Sequence, residues 1–173
     1  LEIDLGAERE LGGLTLTWEE GRSPRRLRTE LSLDGELWQS AREVARGGAP
    51  RTDLMLTEGE ARFLRFHLDE PSGAAGFGLA ELAIRPLAFG ATPNDFVAAV
   101  ARDARRGAYP RGFSGEQSAW TVLGVDRDRD EALLSADGAL ELGERQPSLE
   151  PYLWLDGRAA SWADVEAAQR LEE

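Results

Sequence analysis

The sequence predicts a mainly β chain, and three observations carry that prediction. Apolar and polar residues alternate in several runs of the first half. Turn-forming residues separate the runs at roughly 8–12-residue spacing, which suits a β-sandwich. A firm helical pattern falls near the middle of the chain, and strand-like runs resume after it.

Leu1, Ile3 and Leu5 alternate with Glu2 and Asp4, and Gly6 closes the run. Leu14, Leu16 and Trp18 alternate with Thr15 and Thr17. Leu27, Thr29, Leu31 and Leu33 follow the same period of two, the signature of a half-buried strand. Asp34-Gly35 offers a tight turn into Leu37-Trp38. Residues 61–68 place Phe63, Arg65 and His67 on one face and Leu64, Phe66 and Leu68 on the inward one. Gly78 to Ile84 makes a further strand. Trp18 and Trp38 are expected in the core, because each ends or follows an alternating apolar run. His67 is expected at the surface or half-buried.

Residues 92–107 switch to helical spacing. Thr92 can cap, Pro93 suits the first helical position, and Asp95 sits in the first turn. Phe96, Val97, Val100 and Ala104 form an apolar stripe. Arg105 and Arg106 suit the last turn, and Gly107 the stop.

Strand patterns then return. Residues 119–125 are strand-like, and Asp137-Gly138 and Asp156-Gly157 look like hairpin turns. Leu149 and Tyr152 to Leu155 read as a buried run. Ser161 and Asp164 resemble a capping box, so residues 165–171 can be a helix; the preceding strands equally allow a strand there. The expected organisation is therefore a β-sandwich portion at 1–88, a connector with an amphipathic helix at 89–107, and a β-rich segment at 108–173.

Composition excludes several chemistries. The chain has 173 residues, 20 basic and 32 acidic side chains, and a formal net charge of -12. Every basic residue is Arg, Cys is absent, and His67 is the single histidine. Lysine Schiff bases, thiol nucleophiles, disulfides, cysteine-type metal sites and sites needing two histidines are excluded. The acidic charge disfavours nucleic acid and anionic lipid as partners. No apolar run reaches the ~18 residues of a membrane helix, so membrane insertion is not expected. A hydrolase built from this chain would need Asp and Glu chemistry, and no carboxylate spacing selects a pair. No catalytic residue is assigned.

The series LEIDLG, LTLTWEE, LRTELSLDGELW, ARFLRFHL and GFGLAELAI resembles a discoidin domain. This is the coagulation factor five/eight C-type family, which includes galactose-binding-like carbohydrate-binding modules. The resemblance covers about half of the chain and implies a jelly-roll β-sandwich lacking its first strands. It implies ligand binding through loops at one end of the sandwich. The loop after Trp18 contains Glu20 and Arg22, and Arg22 matches the position that gives an arginine to the sugar. The loop before the last strand offers Phe77 as a stacking aromatic. Glu81 matches a glutamate that helps hold a structural calcium. The plainer readings are a solvated loop charge for Arg22, a core plug for Phe77 and a structural hydrogen-bond partner for Glu81.

The second segment carries two further patterns. Residues 126–131 superficially resemble a calcium loop but lack its glycine and its final glutamate, which favours a solvated turn. The series GAYPRGFSGEQSAWTVLGVD, ALLSADGALEL and LEPYLWLDGRAASWADV resembles the opening of a β-sandwich that precedes a helical-barrel domain in bacterial glycosidase-like proteins. Together the resemblances imply a non-catalytic carbohydrate-binding or docking region of a bacterial carbohydrate-active protein, secreted or periplasmic. Its expected partners are a glycan or an adjacent catalytic domain of the same polypeptide. The alternatives are part of a glycoside hydrolase, or a protein-interaction module without sugar specificity.

Overall fold

The computed structural model describes residues 1–124, 131–143 and 147–164. The chain forms two compact units, Leu1–Val97 and Ala98–Glu173. It is mainly β.

The first unit is an antiparallel sheet of five strands: β1 (Glu2–Trp18), β2 (Pro24–Ser32), β3 (Gln39–Val44), β4 (Arg51–Pro71) and β5 (Leu79–Arg85), ordered β3-β2-β4-β1-β5. Two strands are long enough to serve both parts of a sandwich-like arrangement. The C-terminal part of β4 pairs with β2, from Phe63↔Ser32 to Pro71↔Pro24, and with Glu2 to Asp4 of β1. The N-terminal part, Arg51 to Ala61, pairs with Arg9 to Thr17 of β1, and β5 lies along the other edge of β1. Register breaks between Asp4 and Arg9 and between Leu11 and Gly13 separate these regions, as bulges bend strands.

Both parts close on one core. Leu14, Leu16, Trp18 and Leu54 come from one side and Leu27, Leu64 and Phe66 from the other. The inward set expected for residues 61–68 is right: Leu64 and Phe66 are buried, and Leu68 packs partly against the core. Trp18 is 3% exposed and its indole N–H donates to Thr52 Oγ1 at 3.0 Å, so its polar atom is satisfied on burial.

Trp38 corrects an expectation. It is half-buried and outside the core cluster. The Asp34 carboxylate accepts the Glu36 and Leu37 N–H groups at 2.8 Å, which winds the chain into a turn rather than straight into a strand. Trp38 then lies under the Arg65 guanidinium, 3.7 Å from ring centre to Cζ, and its N–H donates to the Gly35 carbonyl.

After β5 the chain makes a single 3₁₀ turn, Leu87–Phe89, against β1. Gly12 permits this approach: a Cβ there would overlap the Pro86 carbonyl oxygen and come within 2.7 Å of Leu87 Cα. Phe89 is buried and meets Phe96 edge to face at 5.2 Å. Helix α1 (Pro93–Asp103) follows, with Thr92 Oγ1 accepting the Asp95 N–H at 3.1 Å as a cap. The helix stops short of the expected Gly107, whose φ of 84° belongs to the turn beyond.

The second unit contains α2 (Arg111–Ser114) and strands β6 (Trp120–Leu123), β7 (Ala132–Ser135), β8 (Leu140–Glu141) and β9 (Ser148–Leu149), an antiparallel sheet in sequence order. A hairpin of β10 (Leu153–Leu155) and β11 (Arg158–Ala160) completes it. Asp137-Gly138 makes the expected turn between β7 and β8. Asp156 and Gly157 both have positive φ, 48° and 76°, as a type I′ hairpin turn requires.

The run from Leu149 through Leu155 is not buried. Leu149, Tyr152, Leu153, Trp154 and Leu155 are all more than half exposed, Trp154 at 73%. A two-stranded ribbon buries a face only against another layer, and none covers this one among the described residues. The Ser161–Asp164 box does form: the Asp164 carboxylate accepts the Ser161 N–H at 3.1 Å and its hydroxyl at 3.0 Å. Residues 165–171 and the acidic loop at 126–130 lie outside the described residues.

Candidate functional site

The turn after β1 and the approach to β5 meet at one end of the first unit. Backbone bonds zip them together: Glu19 N–H donates to the Gly78 carbonyl at 2.8 Å, and Gly78 N–H to the Arg22 carbonyl at 3.0 Å. Gly21, with φ at 68°, closes the turn that brings Arg22 back over this junction.

Arg22 clamps the two segments. Its Nη1 pairs with the Glu19 carboxylate, and its Nη2 donates to the Phe77 carbonyl oxygen at 2.8 Å. Its Nε is buried without a partner among the described residues. The guanidinium packs on the bare face of Gly78, where a Cβ would stand 2.9 Å from Arg22 Cζ and 2.6 Å from Glu19 Oε2. The side chain is 35% exposed, so one side of a fixed cation faces water. Fixing a guanidinium with a carboxylate and a carbonyl pre-orients its remaining surface toward an incoming acceptor.

Of the residues expected here, Arg22 and Phe77 are brought together, through the main chain of Phe77 and not through its ring. The Phe77 side chain is half-buried. Glu20 sits exposed in the same turn. Glu19 carries the polar contact with Arg22, and sequence reasoning passed over it; the i, i+3 spacing of Glu19 and Arg22 was the available signal. Ser23 and Ser72 extend the junction, with a hydroxyl–hydroxyl bond of 3.0 Å.

Glu81 lies apart. It is exposed on β5, in register with Thr17 of β1. Calcium takes six to eight oxygen ligands. Among the described residues no group of three or more His, Asp or Glu side chains converges, at Glu81 or elsewhere.

The outer face of the first unit carries a second polar cluster. Glu30 receives the His67 Nε2 at 2.9 Å, with Arg65 and Arg28 at 3.7 and 3.6 Å. These contacts hold its carboxyl below the ordinary range, the His67 bond first and the charges of His67, Arg28 and Arg65 behind it. His67 is thereby placed as expected, half-buried on a strand.

In the second unit the stretch from Tyr109 to Trp120 carries α2 and is tied at its start to Trp162. Trp162 donates its indole N–H to the Tyr109 carbonyl at 3.1 Å, and its ring lies against both Arg106 and Arg111. Those arginines pair with Glu116 and Asp137 at 2.9 and 2.7 Å.

The solved structures that match this chain include carbohydrate-binding modules. A chitosan-binding module 2 of a chitosanase/glucanase from Paenibacillus sp. IK-5, in complex with chitotriose, is 20% identical with a TM-score of 0.46, over 49% of this chain and 67% of that one. Module 1 of the same enzyme is 19% identical with a TM-score of 0.45, over 49% of this chain and 66% of that one. CpGH89CBM32-5 from Clostridium perfringens, in complex with GalNAc-beta-1,3-galactose, is 19% identical with a TM-score of 0.43, over 49% of this chain and 63% of that one. The chain thus spans about two thirds of the length of these modules. No family model and no curated protein matches it.

Proposed function

We propose that the chain is a non-catalytic carbohydrate-binding or docking region of a bacterial carbohydrate-active protein. The observation that carries the reading is the Arg22 clamp. A charged group with one free side is held rigidly at a loop junction, with Glu20 beside it and the half-buried Phe77 at the base. Sugar hydroxyls accept from a guanidinium and donate to carboxylates, and a fixed donor loses little entropy on binding. The site offers little exposed aromatic surface, Phe77 being half-buried, so weak affinities of roughly millimolar order are expected.

The docking half of the reading rests on the second unit. Leu153 and Leu155 stand exposed on one face of the β10–β11 ribbon and Trp154 on the other, and exposed apolar side chains on both faces are the kind of surface that marks a protein contact. An adjacent catalytic domain of the same polypeptide is the partner this suits. A periplasmic or extracellular location follows from the same reading. Among the described residues no helix is long and apolar enough to cross a membrane.

The test is calorimetric titration of the protein with galactosides, other neutral hexosides and chito-oligosaccharides. Millimolar or tighter binding that weakens in Arg22→Gln supports the reading. No binding to any of them at millimolar concentration overturns its carbohydrate half.

A further inference from the structure

A cavity of about 220 Å³ opens in the second unit, where the last turn of α1 meets the connector. Its polar lining is Arg102, Arg105, Arg106, Tyr109, Ser114 and Glu116. The three arginines stand at i, i+3 and i+4, which puts like charges side by side, an arrangement that opposes itself unless anions are nearby.

The anions present do not cover them. Arg106 bonds the Glu116 carboxylate at 2.9 and 3.3 Å, and Arg105 reaches Asp164 at 3.3 Å through both terminal nitrogens. Arg102 has no ion-pair or hydrogen-bond partner among the described residues. Its cation is surplus at this spot, on a chain whose net charge is -12. The carbonyl end of a helix attracts cations, but it does not call for three of them around a cavity.

The rest of the lining is ordered. Arg106 is fixed from the other side by the Trp162 ring at 4.8 Å. Tyr109 supplies an aromatic ring, and its carbonyl is tied to the Trp162 indole. Ser114 donates its hydroxyl to the Arg111 carbonyl at 2.9 Å, which leaves its oxygen lone pairs available to accept. The volume falls below the roughly 300–1,000 Å³ of pockets that take drug-sized ligands, so the cavity suits one sugar ring.

The geometry points to a binding site for a hexuronate, a pyranose bearing one carboxylate. The Arg102 and Arg105 guanidiniums receive the carboxylate, Tyr109 lies along the ring, and Ser114 and Glu116 meet hydroxyls. The surplus of one positive charge matches a monoanion rather than a phosphate dianion, which would also confront Glu116. This assignment rests on the carbohydrate reading of the chain but names a different site and a different ligand class.

The test is titration of the whole chain at low ionic strength with sodium glucuronate, with glucose as the uncharged ring and acetate as the carboxylate without a ring. Glucuronate is expected to bind at least about tenfold more tightly than either. Arg102→Gln is expected to abolish that preference, while Arg26→Gln, which removes an exposed charge in the first unit, leaves it intact. Amide NMR shifts on glucuronate addition are expected at Gly107, Ser114 and Glu116. Equal binding of acetate and glucuronate, indifference to Arg102→Gln, or no glucuronate binding overturns the assignment. Neutral oligosaccharides that still bind in an Arg22-dependent way would leave the first-unit reading standing in that case. Glucuronate binding without any neutral-sugar binding would do the reverse.

Discussion

Arg22 holds the Phe77 carbonyl at 2.8 Å while pairing with Glu19, so a single side chain fastens the turn after β1 to the approach to β5. The contact joins residues 55 positions apart in sequence. Arg22→Gln is expected to cost about 1 kcal/mol, the net worth of a partly exposed charged hydrogen bond rather than a buried one. Urea unfolding measures this. A loss above ~3 kcal/mol would mean that the residue supports the core and does not merely order the rim.

Gly78→Ala tests the same junction without touching the arginine. Gly78 does not occupy the left-handed region, so its backbone tolerates alanine. The added Cβ would stand 2.6 Å from Glu19 Oε2 and 2.9 Å from Arg22 Cζ, against the far ends of the two paired side chains. The pair should be pushed off the junction, at a cost in stability of about 1 kcal/mol, that of Arg22→Gln. Glycan affinity is expected to fall about as far as in Arg22→Gln, and calorimetry on the two variants side by side checks it.

The core offers a sharper stability test. Leu14 is fully buried among Leu16, Leu54 and their neighbours. Leu14→Ala is expected to destabilise by about 2–5 kcal/mol through lost transfer energy and the cavity left behind. Thr29 is also fully buried, and its hydroxyl has no partner among the described residues. Thr29→Val keeps the shape and removes the unsatisfied group, so a gain of about 1 kcal/mol is expected. Paired denaturant midpoints decide both.

Acid should loosen the outer sheet face through carboxylates whose folded values are depressed. The Arg62 fork bonds Asp4 at 2.9 Å through two nitrogens, and with the Gly6 N–H it lowers the Asp4 value from 3.8 to about 2. A depressed acid contributes fully above its unfolded value and loses that contribution as pH falls through its folded one. Stability owed to Asp4 should therefore fade between pH 3.8 and about 2. Glu30 acts in the same direction, beginning near 4.5. Unfolding midpoints of Asp4→Asn against pH should be flatter than the parent's in that window, and high salt should shrink the difference. Parallel curves would count against the assignment.

Much of the architecture was legible because period-two patterning is a local signal. The strand end at Trp18 and the inward set Leu64, Phe66 and Leu68 follow from it directly, while the run expected to reach Leu33 stops at Ser32 and leaves Leu33 exposed. Thr92 and Asp95 likewise announce the helix start. Other features depend on partners far along the chain. That β1 continues past Gly6 is decided by its pairing with β4 on both sides of a register shift there, whereas local sequence reads that glycine as the end of a run. β3, with its sparse apolar residues, is a strand because β2 lies beside it. Trp38 sits outside because Asp34 captures two amides and Arg65 stacks on the indole, neither of which alternation reports. Tyr152 to Leu155 look like core by composition alone, yet burial needs a second layer. At the site, the turn containing Glu20 and Arg22 was foreseen. The use of the Phe77 main chain in place of its ring was not, because a backbone carbonyl leaves no mark in sequence.

The most direct measurement is calorimetric titration of the parent chain and Arg22→Gln with a series of neutral oligosaccharides, under conditions where both variants are shown by circular dichroism to be folded. At least one oligosaccharide should bind at millimolar or lower concentration, with affinity reduced about tenfold by the substitution, a loss of roughly 1.4 kcal/mol. Binding that is unchanged in Arg22→Gln would place the ligand elsewhere, and no binding at all would contradict the carbohydrate reading itself.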